Sequence, residues 1–324
     1  MSCRNPMSGK FCGASCVNLT IESGPYYERK KTLLAATIAF TLGGWLNFAH
    51  GLDSNDQPQK ARTLTQSWQS VDGGLNGPES VIHDSLNRVI YASNINPQGR
   101  GAAWKDNGGF ISKLDENGLI LEREWATGLK APKGMAVNDG RLYVADLNTV
   151  AVIDTATGDV LNAYTAPDGS DHLNDLVFDP SSDTVYVSDS DKNVIYRIGS
   201  AGTFSVFYEA EKRSPNQSGL YLDGNSIIMT GSEGAIKSIS ISDGSVSTIA
   251  EGIAGRIDGI WKYNSTGLFV SDWRGTVYFV GYDGVVSELI STDPVRSADI
   301  SYSGTLNKLL VPDFKDKITA YSVN

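Results

Sequence analysis

Six residues stand at the same point of a recurring pattern: Glu79, Lys133, Asn174, Ser218, Asp258 and Ala298. Each directly precedes a short hydrophobic run, at intervals of about 40 residues except for a longer first one. A hard divalent cation such as calcium takes several oxygen ligands carrying about two negative charges among them. Glu79 and Asp258 supply two carboxylates, Asn174 an amide oxygen and Ser218 a hydroxyl. A repeat that served packing alone would carry one residue type at equivalent positions, whereas these differ in complementary ways. The set predicts a divalent metal, calcium first, held by Glu79, Asn174, Ser218 and Asp258. Lys133 opens a second reading. An ammonium close to a divalent cation is repelled, so Lys133 either turns away toward a substrate or bridges Glu79 and Asp258 in a metal-free ion cluster.

Other polar residues extend the candidate site. His172, two residues before Asn174, titrates closest to neutrality and is placed to shuttle protons; the blander reading is a surface histidine in a connection. His83 lies within a strand pattern whose alternation suggests packing. The segment NINPQGRGAAWKDNGG from Asn94 accounts for the longer first interval. It is expected to overhang the same end as the six markers, where Arg100, Trp104 and Lys105 would contact a substrate carboxylate or ring; the alternative reading is a mobile surface loop rich in glycine. Asn94, Asp146, Asp189, Asp272 and Asp313 each close a hydrophobic run and are expected to cap turns through side-chain bonds to backbone. No G-x-S-x-G motif supports a serine nucleophile, and no glycine pattern supports nucleotide binding.

These residues need a scaffold that brings all six repeats to one place. LKAPKGMAVNDGRLYVAD from Leu129, LNDLVFDPSSDTVYVSD from Leu173 and IDGIWKYNSTGLFVSD from Ile257 share one rhythm, with weaker copies at Gly77, Gln217 and Arg296. Alternating apolar and polar residues with Gly, Asn or Asp at the bends are what half-buried antiparallel strands require. No segment after Arg62 sustains a helical period. The pattern predicts an all-β fold, a six-bladed β-propeller with four antiparallel strands per blade, spanning 64–324. The C-terminus provides only three strands for blade six. Residues Leu64 to Val71 match the outer strand around Trp125, with Trp68 in its place, so the N-terminal strand is expected to close blade six and remove the free edges.

Upstream, residues 1–51 contain the basic YYERKK, the apolar TLLAATIAFTLGGWLNF and the small Ala49 and Gly51, an order expected of a secretory signal cleaved after Gly51. A membrane anchor is the competing reading, since the apolar run approaches the roughly 20 residues that span a bilayer. Residues 52–63 read as a polar linker. All three cysteines, Cys3, Cys12 and Cys16, lie upstream of the apolar run. A cleaved chain would hold no disulfide, thiolate nucleophile or Cys-ligated zinc. A net charge of −10 argues against nucleic acid and anionic lipid as partners. A periplasmic or secreted location is expected, with a small molecule or a protein as partner.

At its marker residues the chain resembles the family of senescence marker protein (regucalcin) and the gluconolactonases and, more distantly, paraoxonase and strictosidine synthase-like proteins. ESVIHD from Glu79 is similar to the family's E-G-P-V-W-D, Asn174–Asp175 to its N-D pair, and Asp258–Gly259–Ile260 to its D-G-I. Ser218 stands where the family has a second asparagine. The resemblance implies a divalent metal held by these residues and hydrolysis of a lactone or similar ester, with Asp258 as metal ligand and base. LKAPKGMAVNDGRLYVAD is also similar to NHL-type repeats, which implies a propeller that binds a small ligand or a protein without catalysis.

Overall fold

The computed structural model describes residues 62–71, 74–97, 108–210, 218–291 and 296–324, and among them are six sheets of four antiparallel strands. Blade one is β2 (Pro78–Asp84), β3 (Val89–Asn94), β4 (Phe110–Asp115) and β5 (Ile120–Ala126). Blade two is β6 (Pro132–Asn138), β7 (Arg141–Asp146), β8 (Thr149–Asp154) and β9 (Val160–Thr165). Blade three is β10 (Leu173–Asp179), β11 (Thr184–Asp189), β12 (Val194–Ile198) and β13 (Phe204–Glu209). Blade four is β14 (Leu220–Asp223), β15 (Ser226–Thr230), β16 (Ile236–Ser240) and β17 (Val246–Ala250). Blade five is β18 (Ile257–Asn264), β19 (Gly267–Asp272), β20 (Thr276–Gly281) and β21 (Val286–Ser291). Blade six joins β22 (Ser301–Ser303), β23 (Lys308–Pro312) and β24 (Ile318–Val323) to β1 (Leu64–Gln69) from the other end of the chain.

The innermost strands β2, β6, β10, β14, β18 and β22 each touch the next, and β22 touches β2, which closes the six-bladed β-propeller. The expected closing strand is present: β1 pairs antiparallel with β24 from Leu64 opposite Val323 to Gln69 opposite Thr319. Thr63 and Asn324 then exchange backbone hydrogen bonds. Burial follows the blade. The second strands are almost wholly buried while the outer strands β5, β9 and β17 are mostly exposed. The buried aliphatic and aromatic residues lie between neighbouring sheets, where each buried side chain contributes about 1.5–3 kcal/mol.

The outer strands also carry an inter-blade contact legible in the repeats. Trp68 on β1 lies against Gly118, Trp125 on β5 against Gly158 and Tyr164 on β9 against Gly202, each glycine forming the turn before the outer strand of the following blade. These glycines have φ of +85°, +83° and +73°, and a Cβ at any of them would collide with the ring or with backbone beside it. Trp68 adds a hydrogen bond from its indole to the Glu116 carbonyl at 3.1 Å, so the closing strand holds blade one as well as blade six.

Side-chain bonds to backbone are present at all five positions, capping the following turn at Asp189, Asp272 and Asp313 and reaching the connection that enters the blade's first strand at Asn94 and Asp146. Asn94 accepts from Asn76 N, Asp146 from Lys130 N and Ala131 N, Asp189 from Asp191 N and Lys192 N, Asp272 from Arg274 N and Thr276 N, and Asp313 from three successive amides beginning at Lys315. Among the described residues no helix is long and apolar enough to cross a membrane. The expected leader or anchor at 1–51, and the linker at 52–63 except its last two residues, lie outside the described residues.

Candidate functional site at the centre of the ring

The markers sit where the innermost strands depart from regular pairing. Register shifts fall between Pro78 and Ser80 on β2, Pro132 and Met135 on β6, Leu173 and Leu176 on β10, and Ile257 and Ile260 on β18. A bulge bends its strand and leaves amides without ladder partners. A hydroxyl from the second strand fills the gap: Ser93 accepts from Ser80 N, Ser188 from Asp175 N and Ser271 from Gly259 N, each at 3.0 Å, while Thr230 accepts from Ser218 N and Gly219 N. Ser188 and Ser271 also donate across to the next blade, to the carbonyls of Ser218 and Ala298 at 2.7 Å. In YVSD and FVSD the serine thus ties the bulge to the neighbouring blade, and the aspartate caps the turn.

The bulges bring a charged cluster together. Glu79, Lys133, Asn174, Ser218 and Asp258 are all buried, Lys133 completely. Burial pushes the Glu79 carboxyl well above the usual range; Asp258 and Asp175 raise it further, and Lys133 opposes them. Asp258 is pushed up to about 6 by burial, against the pull of Arg256, Trp273, Lys133 and Ser218. Lys133 is lowered by burial, although Glu79 and Asp146 favour its charge, and its Nζ donates to the Ala131 carbonyl at 3.2 Å. Neither carboxyl oxygen of Glu79 has a hydrogen-bond partner, nor does Oδ2 of Asp258.

Two acids join that marker-by-marker reasoning had not placed at the centre. Asp175, the residue after Asn174, accepts from Leu176 N at 2.7 Å and from Leu220 N of blade four at 2.6 Å, and burial takes it to about 7. Asp299, the residue after Ala298, accepts from the Ser80 hydroxyl of blade one at 2.7 Å while its own amide bonds the Glu79 carbonyl at 2.8 Å. Burial first, then Asp175 and Glu79, hold Asp299 well above the carboxylate range. Residue 134 in blade two and residue 259 in blade five are glycine, where a Cβ would run into Asp175 and Asp299 respectively. Among the described residues no group of three or more His, Cys, Asp or Glu is arranged as a metal-binding set, so a cation here would need the amide and hydroxyl oxygens of Asn174 and Ser218 beside the carboxylates.

His172 is buried at the marker end, its Nδ1 3.1 Å from Asp191 Oδ1, which departs from the surface histidine of the blander reading. Burial, then the charge of Lys133, lowers its pKa, which places the ring close to the cluster. His83 sits at the opposite end of β2 in a polar link between blades, with Nδ1 2.8 Å from Ser303 Oγ and Nε2 3.2 Å from Glu116 Oε1. The long insertion does lie between β3 and β4, and the pairing of Pro78 with Asn94 puts its start at the marker end. Arg100, Trp104 and Lys105 lie outside the described residues.

The sequence matches no protein-family profile and no curated protein. Its structure is similar to solved propellers. A catalytically inactive virginiamycin B lyase from Staphylococcus aureus with quinupristin is 16% identical over 81% of this chain and 99% of that one, with a TM-score of 0.57. A streptogramin B lyase is 15% identical over 81% and 98%, with a TM-score of 0.58. The WD40 propeller domain of Doa1 is 14% identical over 75% and 77%, with a TM-score of 0.56. At these identities the likeness is one of fold.

Proposed function

We propose that this chain is an exported, divalent-metal-dependent hydrolase acting on a lactone or similar small ester at the marker end of the propeller. The observation that carries the reading is the charge balance at the centre. Four buried carboxyls, Glu79, Asp175, Asp258 and Asp299, act on one another, and among the described residues the one buried ammonium is Lys133, which acts on Glu79 and Asp258. If all ionise, Lys133 and the pull of Arg256 on Asp258 still leave the cluster negative, and among the described residues the two Glu79 oxygens have no hydrogen-bond partner. A divalent cation held by Glu79, Asp258, Asn174 and Ser218 would relieve both, and calcium suits an all-oxygen donor set.

Such a cation supplies polarisation of an ester carbonyl and of a bound water. The chain's own groups do the rest. Asp258, with a pKa near 6, is poised to accept a proton from attacking water at neutral pH. His172, kept neutral by burial, can relay it toward Asp191 and solvent. Lys133 is placed to neutralise charge developing on a substrate oxygen, with Arg100 and Trp104 of the insertion as further substrate contacts. The second reading, a non-catalytic propeller binding a small ligand or protein, is favoured by Lys133 if its ammonium serves as the counter-charge without metal.

Chelation separates the two. For the metal reading, a chelator lowers the melting temperature, calcium restores it by mass action, and Asp258→Ala abolishes metal binding and esterase or lactonase activity. Indifference of wild type to chelator, together with strong destabilisation by Lys133→Met, would reject the metal site and leave the binding reading.

A further inference from the structure

The channel has a second mouth, at the end where the innermost strands finish. A cavity of about 220 Å³ opens there, lined by the innermost strands of five blades and by Asp299, which precedes the sixth. Its wall is apolar and aromatic, with Val137, Phe178, Tyr221, Leu222 and Trp261 among the lining residues. Tyr221 and Trp261 meet edge to face, ring centroids 5.5 Å apart, and both rings are partly exposed. Among the described residues the charged groups lining the cavity are Asp175 and Asp299, one from blade three and one from blade six, on opposite sides of the ring.

The geometry points to a binding site for a small amphipathic cation, a primary ammonium on a short apolar or aromatic body, with the ammonium facing Asp175 and Asp299 and the body against Trp261, Tyr221 and Phe178. Three features select that chemistry. The nearby Lys262 is tied to Asp223 at 2.5 Å, and Tyr282 also donates to Asp223 at 2.9 Å, so the lysine's charge is already matched. Two acids and no basic side chain stand among the described lining residues, so an ammonium meets carboxyl oxygens there and an anion meets no cation. Aromatic faces attract an ammonium through their quadrupoles as well as covering apolar surface. The site shares Asp175 and Asp299 with the central carboxyl cluster, but it uses neither Asn174 nor Ser218 and opens at the other end of the ring.

The test is a calorimetric titration of the full chain, in chelator so that metal does not decide the outcome, with 2-phenylethylamine, the neutral 3-phenylpropan-1-ol and phenylacetate. The amine is expected to bind, with the alcohol and phenylacetate weaker by about tenfold or more, the worth of one charge-assisted contact. Asp299→Asn should weaken the amine by a similar factor, as should Trp261→Leu, which keeps an apolar wall but removes the ring and does not touch the blade-closing bond to Ser80. Equal binding of amine and alcohol, unchanged amine binding in a folded Asp299→Asn or Trp261→Leu chain, or no heat with about 10 mM amine would each overturn the inference. Trp261→Leu leaves all four central carboxyls in place, so its amine binding and the chelator response of the wild-type chain distinguish failure of this site from failure of the metal reading.

Discussion

At the residue scale, Lys133 is the group on which the centre of the molecule turns. Among the described residues its ammonium is the one buried cation beside these carboxyls, so Lys133→Met in chelator-treated protein should cost about 3–5 kcal/mol at neutral pH, read by denaturant unfolding. The same cluster fixes a pH dependence. Asp175 and Asp258 are raised, to about 7 and about 6, so the folded chain holds more protons than the unfolded chain between about pH 4 and pH 7. Their contribution is therefore present below the unfolded pKa and lost as pH rises through the folded values. Chelator-treated protein should melt higher at pH 5 than at pH 8, and a flat profile would contradict the cluster. The marker residues were legible from spacing, because repeats must superpose. Asp299 was not, because strict strand alternation turns the residue after a marker away from it. The bulges at the start of β2, β6, β10 and β18 break that alternation, and blade six begins in RSADISYSG, the copy with the weakest pattern.

At the scale of elements, the second-strand serines join each bulge to the next blade. Ser271→Ala removes the partner of Gly259 N and the donor to Ala298 O together, and should cost about 1–3 kcal/mol because both groups are buried. Ser271→Thr, which keeps a hydroxyl, should recover part of the loss in thermal melts. The outer-strand aromatics are the complementary device. Trp68→Ala should lower stability by up to about 3 kcal/mol, since it removes the cover of Gly118 and the bond to Glu116 O. Strand order, the turn caps and the Trp68–Trp125 equivalence could all be read from the repeats, because each follows from local chemistry repeated six times. Tyr164 in the same role was not apparent, since a tyrosine among NAYTAP carries no motif of its own.

At the scale of the whole molecule, the ring has one covalent gap, and β1 spans it. A chain lacking residues 62–71 should unfold at markedly lower denaturant and associate through the exposed edge of β24. Moving those residues to follow Asn324 should restore wild-type unfolding, because Thr63 and Asn324 already lie within hydrogen-bond distance. Failure of the permuted chain to recover would show that β1 contributes something other than closure.

That pairing also sets a schedule for synthesis. Gln69 and its partner Thr319 are 250 residues apart in the chain. A ribosome adding about 5–20 residues per second leaves roughly 13–50 s between the emergence of the first strand and the arrival of the last. Throughout that interval the earliest-made strand has no mate, and the ring cannot lock until β24 is made. Maturation is thus timed by β24, and any pause or truncation before it would release an open horseshoe with two sticky ends in place of a sealed disc.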